Sequence, residues 1–141
     1  MKKENITSSP AETKKLAEKF AKEILKSRSK KKSFVIGLEG KLGGGKTTFI
    51  QGFAKGLGIK EKILSPTFVI MKKFNNFYHI DCYRVQKPKE LLDLGFKEIV
   101  SNPKNIIAIE WAEKIKRIMP ENTLWIQFEF VDEKTRKITT K

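Results

Sequence analysis

The sequence predicts an α/β fold built on one central, mostly parallel sheet with antiparallel strands at its edges. Early in the chain, short apolar runs typical of strands alternate with longer segments whose apolar residues recur at helical spacing. Towards the end, the pattern changes to two closely spaced strand-like segments, which favours a hairpin at a sheet edge. A glycine-rich loop separates the first of the central strands from a helix.

The predicted elements begin with an N-terminal helix. Ser9 is suited to cap this helix, Pro10 to be its first residue and Glu12 to complete a capping box. Its apolar stripe consists of Leu16, Phe20, Ile24 and Leu25. We expect residues 1–141 to form a single domain, in which residues 1–8 are a flexible arm.

The remaining chain divides into short elements of both kinds. Strands are predicted at 33–39, 68–74, 77–83, 105–111, 123–131 and 135–140, and residues 75–76 (Asn-Asn) are suited to a hairpin turn. Helices are predicted from residue 46 to 56 or 58, at 87–94, at 96–100 and at 112–119. The strand at 105–111 has a continuous apolar run, which is typical of a parallel strand buried on both faces.

The composition indicates a soluble, cytoplasmic protein. No apolar run approaches the roughly 18–20 residues that span a bilayer, so we expect no membrane segment. The N-terminus has no apolar stretch of the kind found in secretory signals. A single cysteine, Cys82, excludes an internal disulfide and a cysteine-rich metal site, and we expect it to be a small buried residue.

The charge balance favours anionic partners. The chain has 30 basic and 16 acidic residues, a net charge of +14, and residues 1–32 carry +7 of it. Such a field attracts RNA or nucleotides, so contact between the N-terminal region and RNA is one interpretation. The other is an ordinary solvated surface, because 26 of the basic residues are lysines, whereas dedicated nucleic-acid readers rely more on arginine.

The glycine-rich loop carries the strongest functional signal. Gly40-Lys41-Leu42-Gly43-Gly44-Gly45-Lys46-Thr47 matches G-x-x-x-x-G-K-[ST], between a predicted strand and a predicted helix. Loop amides and the helix N-terminus can surround phosphate oxygens. Lys46 would then reach the β- and γ-phosphates, and the Thr47 hydroxyl would ligate Mg²⁺. These features predict a three-layer sandwich like that of P-loop NTPases.

Two carboxylates are predicted to complete the site. Glu110 ends an apolar strand where P-loop proteins usually place the aspartate that acts on Mg²⁺. Asp81 ends another predicted strand, and the two groups could divide the work, one on the metal and one on the attacking water. The alternative for each is a carboxylate at a strand end that faces solvent.

With these residues assembled, the sequence resembles the TsaE family, also known as YjeE, from about Ser9 to Arg136. The family comprises small P-loop ATPases of bacterial tRNA threonylcarbamoyladenosine synthesis. The specific segments are Ser65-Pro66-Thr67-Phe68, His79-Ile80-Asp81-Cys82-Tyr83-Arg84 and Ile109-Glu110-Trp111, together with the P-loop and Glu12-Thr13.

The resemblance implies a weak Mg²⁺-dependent ATPase that is stimulated by its partners, TsaB and TsaD, and resets their complex. Asp81, Glu110 and Lys46 would be catalytic, and Thr47 and Glu110 would serve the metal. The residues implied to bind ATP are Gly43, Gly44, Gly45, Lys46, Thr47, Thr48, Thr67, Trp111 and Thr13. Residues 65–68 would form a switch-like loop. Trp111 would sit by the nucleotide site, and Arg84 could touch the phosphates or a partner subunit. A core position for Trp111 and a structural ion pair for Arg84 are equally consistent with the sequence. An RNA close to the N-terminal helix would be tRNA.

Three positions depart from the family pattern, which usually has an acidic residue at Lys41, often alanine at Gly44 and proline at Ala112. Lys41 adds a positive charge at the lip of the site. Ala112 removes a rigid stop after the strand.

Other functions fit the sequence less well. A small-molecule P-loop kinase usually has a lid with arginines, and this chain has four arginines and no evident lid insertion. An RNA-binding module would be supported by net charge alone, since no aromatic RNA-recognition signature is present. A GTPase would need an Asn-Lys-x-Asp segment, which is not found in the sequence.

Overall fold

The computed structural model describes residues 3–41, 45–64 and 70–141. The strands are β1 (Lys3–Thr7), β2 (Phe34–Glu39), β3 (Met71–Phe74), β4 (Phe77–Asp81), β5 (Ile106–Glu110), β6 (Leu124–Phe130) and β7 (Arg136–Thr140). The helices are α1 (Pro10–Ser27), α2 (Lys46–Gly56), α3 (Lys89–Leu92), α4 (Phe96–Ser101) and a 3-10 helix (Ala112–Ile118). Within these ranges, the strands form one sheet of seven in the order β1-β7-β6-β2-β5-β4-β3.

The predicted fold class is confirmed. The four central strands, β6, β2, β5 and β4, are parallel to one another. The outer pairs, β1 with β7, β6 with β7 and β3 with β4, are antiparallel. One apolar cluster joins α1 and α2 to one face of the sheet, and a second joins α3, α4 and the 3-10 helix to the other face. This is the three-layer arrangement expected for a P-loop NTPase-like fold.

The prediction that residues 1–8 form a flexible arm is wrong for residues 3–8, which the structure describes. Lys3–Thr7 form β1, which pairs with β7 from Lys3 opposite Thr140 to Thr7 opposite Arg136. The segment has little apolar content, and Ile6 is exposed, so no hydrophobic pattern indicated a strand. The backbone ladder holds the strand, and the buried Thr7 hydroxyl lies 2.7 Å from the Thr13 hydroxyl of α1.

The start of α1 follows the prediction at Ser9 and Pro10, but among the described residues the Glu12 side chain makes no hydrogen bond that would complete the capping box. The Ser9 hydroxyl accepts a hydrogen bond of 3.1 Å from the backbone N–H of Glu12, and Pro10 is the first helical residue. An exposed N-cap of this kind is worth about 1 kcal/mol relative to alanine. The cap fixes where the chain turns from β1 into α1.

The predicted elements that lie in the described ranges are found within two residues of their expected bounds, except the strand at 68–74, of which the described part starts at Met71. Asn75, with φ 57°, lies in the turn of the β3–β4 hairpin. β4 ends at Asp81 instead of residue 83 because the Asp81 Oδ1 accepts the Tyr83 N–H at 2.9 Å. This local bond turns the chain out of the sheet.

Two further sequence expectations can be compared with the described residues. Cys82 is fully buried in the second apolar cluster, as predicted, and burial raises its thiol pKa to about 12. Across the described ranges, no helix has both the length and the apolar character needed to cross a bilayer.

Helices α1 and α2 meet through their backbones. A Cβ atom on Gly52 would lie 2.3 Å from the Lys14 carbonyl oxygen, and one on Gly56 would lie 2.4 Å from the Glu18 carbonyl oxygen. Both distances are far below contact distance, so glycine is required at these positions by the neighbouring helix and not by its own φ angle.

We therefore expect Gly52→Ala to destabilise the protein. Alanine gains about 0.8–1.0 kcal/mol in helix propensity over glycine, but overpacking costs about 1–3 kcal/mol and the clash here is with backbone. The midpoint of urea unfolding should fall, whereas Lys55→Ala, an exposed position on the same helix, should leave it nearly unchanged. An unchanged midpoint for Gly52→Ala would show that the helices can separate without cost.

Candidate active site

The sheet brings the predicted residues to one edge. β2, β4 and β5 are parallel, so their carboxyl ends lie together. Asp81 and Glu110 are register partners at the ends of β4 and β5. α2 begins beside them at Lys46, after Gly45, whose φ of 92° suits the left-handed conformation that glycine adopts freely.

Lys46 lies at the base of the loop. Its ammonium group donates to the carbonyl oxygens of Gly40 at 2.5 Å and Lys41 at 3.2 Å. It also lies 4.0 Å from the centroid of the Trp111 ring, which is cation–π distance. Burial lowers the pKa of Lys46, and the charges of Glu110, Glu113 and Asp81 act in the opposite direction.

Glu110 is buried, with 3% of its surface exposed, and each of its carboxylate oxygens has a donor. Its Oε1 accepts from the Thr47 hydroxyl at 2.9 Å, and its Oε2 accepts from His79 Nε2 at 2.7 Å. An uncompensated buried carboxylate would cost several kcal/mol, so these bonds are needed for the fold. The structure therefore places Thr47 and Glu110, the two predicted metal-site residues, in direct contact.

Asp81 is half-buried and faces the same edge. Burial is the main cause of the raised pKa of its carboxyl group, and the Tyr83 amide hydrogen bond opposes it. The Glu110 charge raises the pKa further, whereas His79 and Lys46 lower it. A carboxylate of raised basicity next to the loop that is predicted to bind phosphate is typical of a proton acceptor.

Trp111 separates Lys46 from the surface. Its φ is 56°, an unusual conformation for a bulky residue. Its ring lies 5.2 Å from that of Tyr83, which is 45% exposed. The Lys114 ammonium lies 5.2 Å from the Tyr83 ring and 5.7 Å from the Trp111 ring. Trp111 thus contacts both Lys46 in the site and the exposed Tyr83.

A small cavity lies beside Gly45 at the start of α2, and neither Asp81 nor Glu110 lines it. Its lining residues are Ser9, Pro10, Thr13, Gly45, Thr48, Glu133, Lys134 and Arg136. Thr13 lines this cavity, but its hydroxyl is hydrogen-bonded to Thr7 and to the Ser9 carbonyl oxygen. Thr13 and Thr48, both expected to bind nucleotide, therefore line the same cavity as Gly45.

Some predicted residues lie outside the described ranges, namely Gly43, Gly44 and Thr67, together with the rest of the segment 65–68. Among the departures from the family pattern, Lys41 is exposed and Ala112 is fully buried at the start of the 3-10 helix. Arg84 is exposed.

Comparison with known proteins decides the family. The family model described as threonylcarbamoyl adenosine biosynthesis protein TsaE matches residues 7–138. The chain belongs to the TsaE family.

Curated TsaE proteins and a solved structure agree with this assignment. The tRNA threonylcarbamoyladenosine biosynthesis protein TsaE of Bacillus subtilis is 39% identical over 94% of this chain and 81% of its own length. That of Haemophilus influenzae is 34% identical over 82% of this chain and 74% of its own length. The crystal structure of Bacillus subtilis YdiB has a TM-score of 0.76 and 33% identity, covering 99% of this chain and 84% of that one.

Sequence reasoning missed one residue of this TsaE site. His79 is fully buried and bonds to Glu110, yet it was quoted only as part of a motif. A signal was available, because Phe77, His79 and Asp81 alternate along one face of their strand, as do Ala108 and Glu110 on the next. A histidine at such a position faces the same layer as the strand-end carboxylates.

Asp81→Asn should stabilise this TsaE protein at neutral pH. The folded-state pKa of Asp81 is raised, so its ionised form costs folding free energy above that pKa. Asparagine keeps an oxygen for the Tyr83 amide and removes the charge. The melting temperature at pH 7 should exceed that of the parent, and the difference should disappear as the pH falls below about 4, where aspartate is protonated in both states.

Asp132→Asn is the matched control for this experiment. Hydrogen bonds from the Lys134 and Thr135 amides lower the pKa of Asp132, which is the opposite direction. This substitution should not raise the melting temperature at pH 7. Equal changes for both variants would mean that removal of any negative charge, and not the burial of Asp81, explains the effect.

Proposed function

We propose that this chain is a Mg²⁺-dependent ATPase of tRNA threonylcarbamoyladenosine biosynthesis, which acts as an assembly or reset factor for a complex of TsaB and TsaD. The observation that carries the proposal is the convergence of Lys46, Thr47 and Glu110 at the start of α2, where the Thr47 hydroxyl donates directly to Glu110. The family names support the pathway.

The first part of the proposal concerns the phosphates. The N-terminus of α2 presents unpaired N–H groups and the positive end of its dipole to the loop. Lys46 already points to the loop carbonyls of Gly40 and Lys41. On nucleotide binding its ammonium would exchange these neutral acceptors for β- and γ-phosphate oxygens, which are stronger partners. Gly43 and Gly44 would complete the loop.

Thr47 and Glu110 fit a magnesium site. Mg²⁺ in nucleotide sites is usually bound through one or two protein oxygens, phosphate oxygens and water. The Thr47 hydroxyl can give a lone pair to the metal while its O–H continues to donate a hydrogen bond to Glu110 Oε1. The ion would neutralise charge on the phosphates. Glu110 would then act on the metal through Thr47 and through ordered water.

Asp81 is the residue proposed to act on the attacking water. Its raised pKa makes it a better proton acceptor than an exposed aspartate. Its position at the end of β4 places it next to Glu110 across the parallel register. Phosphoryl transfer depends mostly on positioning and charge stabilisation, so Asp81 would orient the water and accept its proton.

The cavity beside Gly45 is proposed to take the base of ATP. It lies at the start of α2, is lined by neither Asp81 nor Glu110, and is bordered by Thr13 and Thr48. Thr13 would contribute through its position in the wall, because its hydroxyl is bonded within the protein. Thr67 and the 65–68 loop would approach from the γ-phosphate side.

Partner stimulation is proposed from the arginines near the site. Arg136 lies beside Gly45, but its guanidinium donates to the carbonyl oxygens of Asp132 and Thr135 in its own hairpin. An arginine that stabilises the transferring phosphoryl group can accelerate phosphoryl transfer by about 10³–10⁵-fold. TsaB and TsaD would raise a weak intrinsic rate by ordering Asp81, Arg84 and the 65–68 loop, and would do so in the cytoplasm.

Two substitutions should separate nucleotide binding from hydrolysis. Lys46→Ala removes the phosphate-binding ammonium and should abolish productive ATP binding. Asp81→Asn retains the fold and should keep ATP affinity near that of the parent while reducing turnover by about 10²-fold or more, the usual contribution of an acid–base group. Binding is measured by titration with a fluorescent ATP analogue and turnover by phosphate release. Normal hydrolysis by Asp81→Asn would contradict its catalytic assignment.

Partner dependence gives the second test of the proposed function. Phosphate release by the purified protein with Mg²⁺ should be slow alone and should rise clearly when TsaB and TsaD from the same source are added. The control is the same mixture with Lys46→Ala, which should stay at background. Equal turnover with and without the partners would argue against a reset factor and would direct the search to small-molecule phosphate acceptors, as for a P-loop kinase.

A further inference from the structure

His79 is the single histidine of the chain, and its side chain is fully buried. It lies on β4 two residues before Asp81, on the face of the sheet that it shares with Ala108 and Glu110. Its Nε2 is 2.7 Å from Glu110 Oε2. An ionised carboxylate has no proton to donate, so Glu110 Oε2 accepts this bond and Nε2 is the donor.

Packing alone does not explain this histidine. Among the described residues, its Nδ1 has no hydrogen-bond partner although it is buried. An unpartnered buried nitrogen is costly, and a phenylalanine or leucine would fill the same space without that cost. The polar group is therefore retained for the bond that it does make, which is the bond to Glu110.

We propose that His79 is a positioning residue for the magnesium site. By holding Glu110 Oε2, it fixes the carboxylate so that Oε1 faces α2 and accepts a hydrogen bond from the Thr47 hydroxyl. The lone pairs of the Thr47 oxygen are thereby directed to the metal. The inference rests on the proposed function, because it concerns the ion that would accompany ATP.

The choice of glutamate at the end of β5 explains why such a residue is needed. Glutamate has one more rotatable bond than aspartate, so its carboxylate can occupy more positions around the same backbone. Thr47 alone fixes one oxygen and leaves rotation about that bond. A second donor on the opposite oxygen, supplied by the neighbouring strand, fixes the plane of the carboxylate. Partners of this type commonly change metal affinity by about 10–100-fold when they are removed.

The test measures how nucleotide affinity depends on Mg²⁺. A fluorescent, non-hydrolysable ATP analogue is titrated in EDTA and then over a range of Mg²⁺ concentrations with the parent, His79→Leu and His79→Gln. His79→Leu should leave affinity in EDTA unchanged and raise the half-saturating Mg²⁺ concentration by about 10-fold or more. His79→Gln should recover much of the loss, because its amide nitrogen can donate to Glu110. Recovery by glutamine would not follow from a purely structural role.

Ile80→Val is the matched control. Ile80 is the next residue of β4, is equally buried and packs on the opposite face of the sheet. It should respond to Mg²⁺ like the parent. A parental Mg²⁺ response in His79→Leu, or an equal loss of affinity in EDTA and in Mg²⁺, would overturn the inference while leaving the ATPase proposal intact. Failure of the parent to bind the analogue would overturn both.

A second measurement does not need the His79 variants. Because the chain has one histidine, a ¹⁵N-labelled sample gives a single imidazole in long-range ¹H–¹⁵N spectra. We expect a slowly exchanging proton on Nε2, whose chemical shift moves in Glu110→Gln. A rapidly exchanging Nε2 proton, or a shift that Glu110→Gln does not change, would contradict the bond on which the inference depends.

Discussion

The arrangement of the candidate site depends on one buried carboxylate, whose oxygens need hydrogen-bond donors. Glu110 ends β5 in a position that water does not reach, and a carboxylate there is stable only with donors on its oxygens. One donor comes from α2 and the other from β4. The requirement thus ties together a helix start and two strand ends that are far apart in the sequence. The same geometry creates a pair of oxygens suited to a hard cation.

The charges around this carboxylate are balanced at a cost to stability. Lys46 loses hydration by burial and regains part of its stabilisation from three nearby carboxylates. Asp81 is held in surroundings that disfavour its charge. Trp111 adopts a left-handed backbone conformation and places its ring against Lys46. Such features are commonly concentrated at functional sites, where stability is given up for a prepared arrangement of groups.

The elements that sequence reasoning predicted correctly are those with a local chemical cause. The Ser9 cap, the helix from Lys46 and the apolar strand ending at Glu110 each follow from residues close in the chain. β1 could not be predicted in this way, because its ladder partner is more than a hundred residues away and its side chains carry no apolar pattern. The contact between His79 and Glu110 was missed for the same reason, since Glu110 lies on another strand. The positions of Asp81 and Glu110 at neighbouring strand ends could be predicted because each ends a short apolar run in the sequence.

The contact between α1 and α2 has a mechanical consequence. At Gly52 and Gly56 the two helices touch backbone to backbone, with no layer of side chains that could slide or repack between them. We therefore expect α1 and α2 to move as one rigid unit. A tilt of α2 at its N-terminus would move α1 with it, and the turn at Ser9 and strand β1 would follow. Movement of the loop that precedes α2 would in this way reach β1 at the far edge of the sheet. The local surroundings of the two glycines do not indicate this connection.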